Sequence, residues 1–145
     1  MRLSTKCSIA LHCLILIAEY ENKAKVTSEL LAGSTGCNSA AIRSILNALQ
    51  KAEIVTIARG IGGAHMNRKP ETLTMRDIYH ALEPEGLEHF IGLHPNPSQQ
   101  CPVGKKIQTV LKEPYEEIGN SVQKAMENIT LQQLLDNYHS TDEKK

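Results

Sequence analysis

The sequence has few aromatic residues: one Phe, four Tyr and no Trp among 145 residues. A hydrophobic core must therefore be built from Leu, Ile, Val and Ala, which suits packed helices. The length fits one compact domain, or a small domain with an appendage. These absences predict a mainly helical fold.

Long apolar runs and paired cysteines are also lacking. The apolar stretch at 9–18 is interrupted by His12 and is shorter than the roughly 20 residues of a membrane helix, and no signal peptide is evident. The cysteines form no CxxC pair and no zinc-type cluster. We therefore expect a soluble, cytoplasmic protein with reduced thiols and no metal or other cofactor. The four cysteines are Cys7, Cys13, Cys37 and Cys101.

Motifs that would mark an enzyme are missing. There is no Gly-rich phosphate loop, HExxH, GxSxG or paired-carboxylate constellation. A nucleophilic role for Cys101 would require a neighbouring base, and the sequence places none. An enzyme is the competing class of protein, and we do not expect this chain to be one.

Charge is balanced overall but is unevenly distributed. Residues 1–80 carry ten Lys/Arg and six Asp/Glu, whereas residues 81–145 carry six and ten. A net charge of +4 on the front half suits contact with phosphates, and the acidic rear half would tend to stay away from DNA.

Residues 38–51 predict the helix around which the chain is organised. Asn38 can cap it by accepting a hydrogen bond from an N–H of the first turn. Apolar residues at helical spacing form one buried face, namely Ile42, Ile45, Leu46 and Leu49. The opposite face is short-chained, polar or basic, so that it can lie close to a partner: Ala40, Arg43, Ser44, Asn47 and Lys51.

The segments on either side of this helix complete a winged helix-turn-helix pattern. Residues 54–59 are β-rich, and glycines at 60–63 turn the chain back toward His65 and Met66. Upstream, Thr27 or Ser28 opens a short helix with Leu30 and Leu31 inward, closed by Gly33 and the turn at Ser34, Thr35 and Gly36. This arrangement predicts a DNA-binding regulator with the helix at 38–51 as its recognition helix.

Two further helices are predicted in the same domain. The first begins at Ser4 or Thr5, runs to Tyr20 and buries one face, made of Cys7, Ala10, Leu11, Leu14, Ile15 and Ala18. The other begins at Thr74, where Asp77 resembles a capping-box partner, and its buried side carries Ile78, Ala81 and Leu82.

The rear half predicts a hinge followed by a long helix. Prolines and glycines interrupt residues 83–102, where a short helical turn near 87–91 is expected. The apolar seam of the long helix suits either a coiled-coil-like dimer contact or packing on its own domain. Pro114 should kink or restart this helix, and Thr130 can cap a short last helix. The seam residues are Leu111, Tyr115, Ile118, Val122, Ala125 and Ile129.

We therefore divide the chain into four regions. Residues 1–82 form the winged helix-turn-helix DNA-binding domain, and residues 83–102 form a hinge or sensor loop. Residues 103–139 contain the dimerisation helix and the short terminal helix. Residues 140–145 are expected to be a disordered tail.

The chain resembles the Rrf2 family of bacterial transcription regulators over nearly its whole length. The resemblance lies in the opening MRLSTKCSIALHCL, the wing RGIGGA, the helix TLTMRDIYHALE and the long C-terminal helix. The segment HPNPSQQCPVGKKIQ, with KAMEN further on, is most similar to the YwnA-like branch. The resemblance implies a homodimer that reads a palindromic operator, and we expect a repressor.

The resemblance also assigns DNA contacts. Asn38, Ala40 and Arg43 match recognition-helix positions that face bases or phosphates, and Arg59 matches a wing arginine that enters the minor groove. Ala40 and Arg43 differ from the serine and glutamate of the iron–sulfur members, so the operator should differ too. His65 is either a phosphate contact or a solvated loop residue. The predicted set is Asn38, Ser39, Ala40, Arg43, Ser44, Asn47, Arg59 and His65.

Cluster-binding members place three cysteines in the hinge, where this chain has only Cys101. His89 and His94 do not restore a thiolate set. Cys101 precedes the long helix, with Lys105 and Lys106 one turn on, a setting that favours thiolate. One hypothesis is oxidation of Cys101, with a bridge to Cys37 of the other subunit that repositions the DNA-reading helices. The alternatives are a small-molecule-responsive regulator with structural cysteines only, or a winged helix used for protein contact.

Overall fold

The computed structural model describes residues 4–60, 62–86 and 90–142. Within them the fold is mainly helical with one small antiparallel sheet, as the sequence predicted. None of the described helices is long and apolar enough to cross a membrane. The elements are α1 (Thr5–Tyr20), α2 (Ser28–Thr35), α3 (Ser39–Lys51), β1 (Val55–Ala58), β2 (Gly63–Met66), α4 (Met75–Leu82), α5 (Pro102–Glu127) and α6 (Leu131–Asp142).

Side-chain caps fix where most helices begin. The Thr74 hydroxyl accepts from the Asp77 N–H, and the Asp77 carboxylate accepts from the Thr74 N–H, which closes the predicted capping box. Thr130 and Gln133 form the same reciprocal pair at the start of α6, with N···O distances of 3.2 and 2.9 Å. Ser4, Thr27 and Asn38 each cap the helix that follows them. The residues that the sequence nominated as caps are therefore confirmed.

The prediction for α2 was wrong in two respects. The helix does not close at Gly33 but continues to Thr35, and Gly36 ends it with a φ of 76°, a left-handed conformation that suits glycine. Leu31 is fully buried, whereas Leu30 is 45% exposed. Consecutive helical residues point about 100° apart, so Leu30 and Leu31 do not share the narrow buried face of this short helix.

The core lies between α1, α3, α4 and α6. α3 buries the four apolar residues predicted for it. On α1 the buried face is centred on Ala10, Cys13, Leu14 and Ile17, whereas Leu11 and Ile15 are only half-buried. The predicted face of α1 was therefore displaced, and it omitted Cys13 and Ile17.

α6 packs against the winged helix. Leu131 and Leu135 are part of the main core cluster, and the Leu131 N–H donates to the Leu73 carbonyl at 2.8 Å. The helix continues to Asp142, so the disordered tail predicted from Ser140 was wrong for residues 140–142, while residues 143–145 lie outside the described residues. The core of the winged helix thus includes a helix from the far end of the chain.

The wing is hydrogen-bonded to Val26, the residue just before the α2 N-cap Thr27. β1 and β2 pair from Val55↔Met66 to Ala58↔Gly63, and the Ala64 N–H donates to the Val26 carbonyl at 2.9 Å. Gly63 has a φ of 70°, and a Cβ at this position would lie 2.9 Å from the Val26 nitrogen. Glycine at this position therefore lets the wing lie directly against the helix-turn-helix.

α5 is continuous for 26 residues with Pro114 inside it, so the predicted restart at Pro114 does not occur. Near its C-terminal end, Val122 and Met126 pack with Tyr79 and Met75 of α4. This part of the predicted seam is therefore used within the chain. Val103, Val110 and Ile118 remain 69%, 61% and 42% exposed.

The hinge lies along the first half of α5. The Gln108 amide donates to the His94 carbonyl at 3.5 Å, and a Cβ at Gly104 would lie 2.5 Å from the Ser98 carbonyl oxygen. Phe90 and Ile91 form bends, while residues 87–89 of the helical turn predicted near 87–91 lie outside the described residues.

Candidate nucleic-acid interface

The exposed face of α3 carries the residues predicted to read DNA. Ala40, Arg43, Ser44 and Asn47 are exposed, and Ser39 is half-buried. Asn38 is also exposed, but its Oδ1 accepts from the Ala41 N–H at 2.8 Å. The Asn38 oxygen is therefore engaged in capping, which leaves its amide group as the part that can donate to a partner.

A cleft joins this face of α3 to the wing. Arg43 and Asn47 line it on one side, and Ala58, Gly60 and Gly63 line it on the other, around a cavity of about 310 Å³. Thr27 and Ser28 at the start of α2 also line it. The fold thus brings the recognition helix and the wing together, and it adds α2 residues that sequence patterns did not identify because they looked like ordinary caps.

Arg59 follows the last residue of β1 and is exposed. Gly60 comes next with a φ of 80°, which begins the turn of the wing. The arginine therefore lies at the tip of the β-ribbon, as predicted.

His65 is half-buried in β2, and its Nε2 lies 2.9 Å from the Gly62 carbonyl oxygen. With the proton on Nε2, the ring donates to that carbonyl and braces the turn. The structure therefore gives His65 a role inside the wing, and its phosphate contact stays a prediction.

Cys101 is exposed at the N-terminal end of α5. The backbone N–H groups of Gly104 and Val103 face its sulfur and lower the thiol pKa below its ordinary value, because they stabilise the thiolate. Although Cys101 is the N-cap residue of α5, its side chain makes no capping hydrogen bond to these N–H groups. The expected lowering of the Cys101 pKa is found, and its cause is the helix N-terminus, one of the two causes expected; Lys105 and Lys106 are not among its causes.

The other described cysteines lie in or against the core. Burial, together with the neighbouring Cys37, raises the pKa of Cys13 to about 11. Cys37 itself is half-buried, and its Sγ lies 3.9 Å from the Thr35 carbonyl oxygen. Burial followed by the Glu83 charge raises the pKa of Cys7. A bridge from Cys37 to another subunit would require this side chain to turn outward.

Comparison with known proteins gives a consistent result. The sequence model of the Rrf2 family, described as "Iron-dependent Transcriptional regulator", matches residues 3–137. The chain is 36% identical over 126 residues to YwnA of Bacillus subtilis (strain 168), a candidate HTH-type transcriptional regulator, which covers 87% of this chain and 88% of YwnA.

Two solved structures are similar over most of their length. The crystal structure of a candidate DNA-binding protein has a TM-score of 0.71 and 27% identity, and the match covers 90% of this chain and 98% of that one. A candidate transcriptional regulator from Lactobacillus plantarum has a TM-score of 0.79 and 23% identity over 94% and 91% of the two chains.

Within the described residues, the donor set does not fit the iron that the family description mentions. Across residues 4–60, 62–86 and 90–142, no three His, Cys, Asp or Glu side chains are grouped as metal ligands. Cys101 is the one cysteine between residues 83 and 102, and one thiolate does not hold an iron–sulfur cluster.

Proposed function

Because this chain belongs to the Rrf2 family of DNA-binding transcriptional regulators, we propose that it acts as a homodimer on a palindromic operator. Each α3 enters a major groove, and each wing follows the adjacent minor groove. The observation that carries this proposal is the cleft shared by Arg43, Asn47 and the wing.

The residues on the exposed face of α3 suit close approach to base edges. Ala40 and Ser44 are small, so the helix backbone can lie deep in the groove. Arg43 can donate two hydrogen bonds to one guanine, a contact of about 1–3 kcal/mol. Asn47 lies one turn further along the same face and can pair with adenine.

The wing arginine, Arg59, adds recognition of DNA shape to the base contacts made by α3. An exposed arginine at the tip of a β-ribbon can enter a narrow A·T-rich minor groove, where the negative potential is strongest. Arg59 therefore selects DNA shape at a flank of the site, whereas Arg43 reads bases at its centre.

Repression follows from where such a dimer would bind. Two recognition helices related by a two-fold axis contact half-sites about 34 Å apart, or a multiple of this distance. A dimer that covers such a length within a promoter excludes polymerase from the same DNA.

The test is a gel-shift titration on the DNA upstream of the protein's own gene, at several salt concentrations. Arg43→Ala should lower affinity by about 1–3 kcal/mol on sites that carry the contacted base, and it should relax specificity at that position. Arg59→Ala should weaken binding mainly to sites with an A·T-rich flank. Lys124→Ala, an exposed lysine at the far end of α5, is the matched control and should bind as wild type.

Unchanged affinity in the Arg43→Ala and Arg59→Ala variants would contradict the assignment of these residues. Absence of salt-dependent binding by the wild type would contradict DNA reading altogether and favour a winged helix used for protein contact.

Control by thiol oxidation is a second element of the proposal, favoured by the exposed, pKa-lowered thiol of Cys101. Hydrogen peroxide would oxidise its thiolate to a sulfenic acid, with reduction of the peroxide to water. Attack by the thiol of the partner's Cys37 would release a second water and form a disulfide. Such a disulfide would pull on the turn before α3.

Its test compares operator affinity and non-reducing gel mobility before and after peroxide treatment, with Cys101→Ser as control. The proposal expects a change in the wild type that Cys101→Ser abolishes. No change in either measurement would contradict control by oxidation. It would favour the alternative, a small-molecule-responsive regulator whose cysteines are structural only.

A further inference from the structure

We propose that Arg76 is a positioning residue for operator recognition, because it fixes the angle at which the long helix α5 leaves the winged helix. Arg76 lies on α4, and its guanidinium donates to the Glu127 carboxylate at the end of α5. The inference rests on the proposed homodimer with α5 as its dimerisation helix. It adds which residue sets the half-site spacing that this dimer accepts.

The connection between α5 and α6 is hydrogen-bonded to the residues around the start of α4. The Met75 N–H donates to the Ile129 carbonyl at 2.8 Å, and the Leu131 N–H donates to the Leu73 carbonyl, also at 2.8 Å. The residues between them pair as an antiparallel bridge. These bonds fix where α5 ends against the winged helix. Because they lie close together, they form a pivot about which α5 can still tilt.

Contacts made by α5 itself resist such a tilt. Met126 packs with Tyr79 of α4, but an apolar contact is non-directional and therefore permits small rotations. The contacts of Arg76 are directional. With its oxygen turned toward Arg76, the Gln123 amide accepts from Nε at 2.8 Å, while the Glu127 carboxylate accepts from Nη1.

The two partners of Arg76 lie one helical turn apart. Gln123 and Glu127 are four residues apart and so share one face of α5. A planar guanidinium that binds both holds the direction of this face as well as its position, since its donors form a rigid fork. A lysine would keep the charge, but its compact ammonium on a flexible stem imposes no fixed directions on two partners. The fork, and not the charge, therefore fixes the direction of α5.

The length of α5 converts a small tilt into a large displacement. Its 26 residues span about 39 Å at 1.5 Å per residue. A tilt of about 5° at the junction moves the far end by about 3.4 Å, which is roughly the rise of one base pair. In a dimer held through α5, such a tilt in each subunit changes the distance between the two recognition helices. The Arg76 contacts therefore decide how strictly half-site spacing is read.

The exposure of this cluster separates its effect on spacing from an effect on stability. The side chains of Arg76 and Glu127 are 39% and 42% exposed, and ion pairs in such surroundings add little to the stability of a protein. Spacing selectivity is more sensitive, because the dimer contains two such junctions and each acts through the full length of α5.

The test measures the affinity of the full chain for a series of DNA duplexes. They are built on the upstream site that the wild type protects, with the spacer between half-sites shortened or lengthened by one base pair. We expect the wild type to bind its best spacing more tightly than either neighbour. Arg76→Lys should lower this ratio of affinities about threefold or more, because both junctions can then tilt to fit a neighbouring spacing.

Two variants serve as controls. Lys124→Ala removes an exposed charge from the same part of α5, and it should keep the wild-type ratio. Asp77→Asn weakens the cap of α4 without removing a contact of Arg76. It shows what a loss of stability alone does, and it should also keep the wild-type ratio.

An unchanged ratio in Arg76→Lys would overturn the inference. A ratio that Arg76→Lys and Asp77→Asn lower equally would overturn it as well, since loss of stability would then explain the change. In both cases the wild type still binds its operator and discriminates between spacings, so the proposed function stands. A wild type that binds no duplex, or binds all spacings equally, contradicts the proposed function and the inference with it.

Discussion

At the residue scale, glycine identity in the wing decides whether the wing can reach the helix-turn-helix. Gly60 and Gly63 both have positive φ, at 80° and 70°. They differ in their surroundings, because a Cβ at Gly60 meets nothing within 4 Å whereas one at Gly63 would lie 2.9 Å from the Val26 nitrogen. Substitution at Gly60 therefore tests backbone strain alone, whereas substitution at Gly63 tests strain together with a steric clash.

We expect Gly63→Ala to lower the free energy of unfolding by about 2–4 kcal/mol, since it combines strain with a backbone clash. Gly60→Ala should cost only the strain, about 1–2 kcal/mol. Urea unfolding followed by circular dichroism measures both values. Equal losses in the two variants would show that the close approach to Val26 does not constrain the wing.

Sequence patterns identified most individual roles at this scale but not all of them. The caps at Asn38, Thr74 and Thr130 were predictable because the hydrogen bonds that they make are local. The exposure of Leu30 was not, because it depends on which side of α2 faces the core. The hydrogen bond between His65 and the Gly62 carbonyl was missed although it is local, because it depends on the conformation of the wing turn.

At the element scale, α4 is held by a charged cap. Partial burial tends to raise the pKa of Asp77, but the hydrogen bonds from Thr74 and the charge of Arg68 outweigh it and lower this pKa below 3.8. The Arg68 guanidinium lies 3.2 Å from the carboxylate. The ionised form is therefore the one that the fold stabilises.

A group whose pKa is lowered by folding stabilises the protein above its unfolded pKa, and this contribution is lost as pH falls through the folded value. We expect Asp77→Asn to lower the free energy of unfolding by about 1 kcal/mol at pH 7. The difference from wild type should shrink as pH falls below 3.8. Urea titrations at a series of pH values check this, with the exposed Glu116→Gln as control. A difference that does not depend on pH would contradict it.

α6 is the element whose place the sequence did not reveal. Its cap at Thr130 was predicted correctly, but a cap cannot show which surface receives the buried face of the helix. In the structure Leu131 and Leu135 join the core with α1 and Leu73. The last helix therefore stabilises the DNA-binding domain.

We expect Leu135→Ala to destabilise the winged helix by about 2–5 kcal/mol, because it leaves a cavity in the shared core. Thermal unfolding should show a single transition at lower temperature. Val103→Ala, at a residue 69% exposed, is the control and should change the stability of the protomer by less than about 0.5 kcal/mol. A normal melting temperature for Leu135→Ala would mean that α6 is not part of this core.

At the scale of the whole molecule, α3 and the wing share one cleft, whereas the exposed Val103, Val110 and Ile118 of α5 do not line it. The sequence predicted the winged helix and the long helix because their patterns are regular and local. It left the use of the apolar seam open. In the structure Val122 of that seam packs on α4, whereas Ile118 is 42% exposed.

The most direct test of the central proposal is a hydroxyl-radical footprint on the upstream DNA, with the wild type and Arg43→Ala compared. We expect the wild type to protect two symmetry-related patches about 34 Å apart, or a multiple of this distance, and both patches should fade together in the variant. A single patch, or protection that Arg43→Ala leaves unchanged, would contradict a dimer that reads DNA with α3.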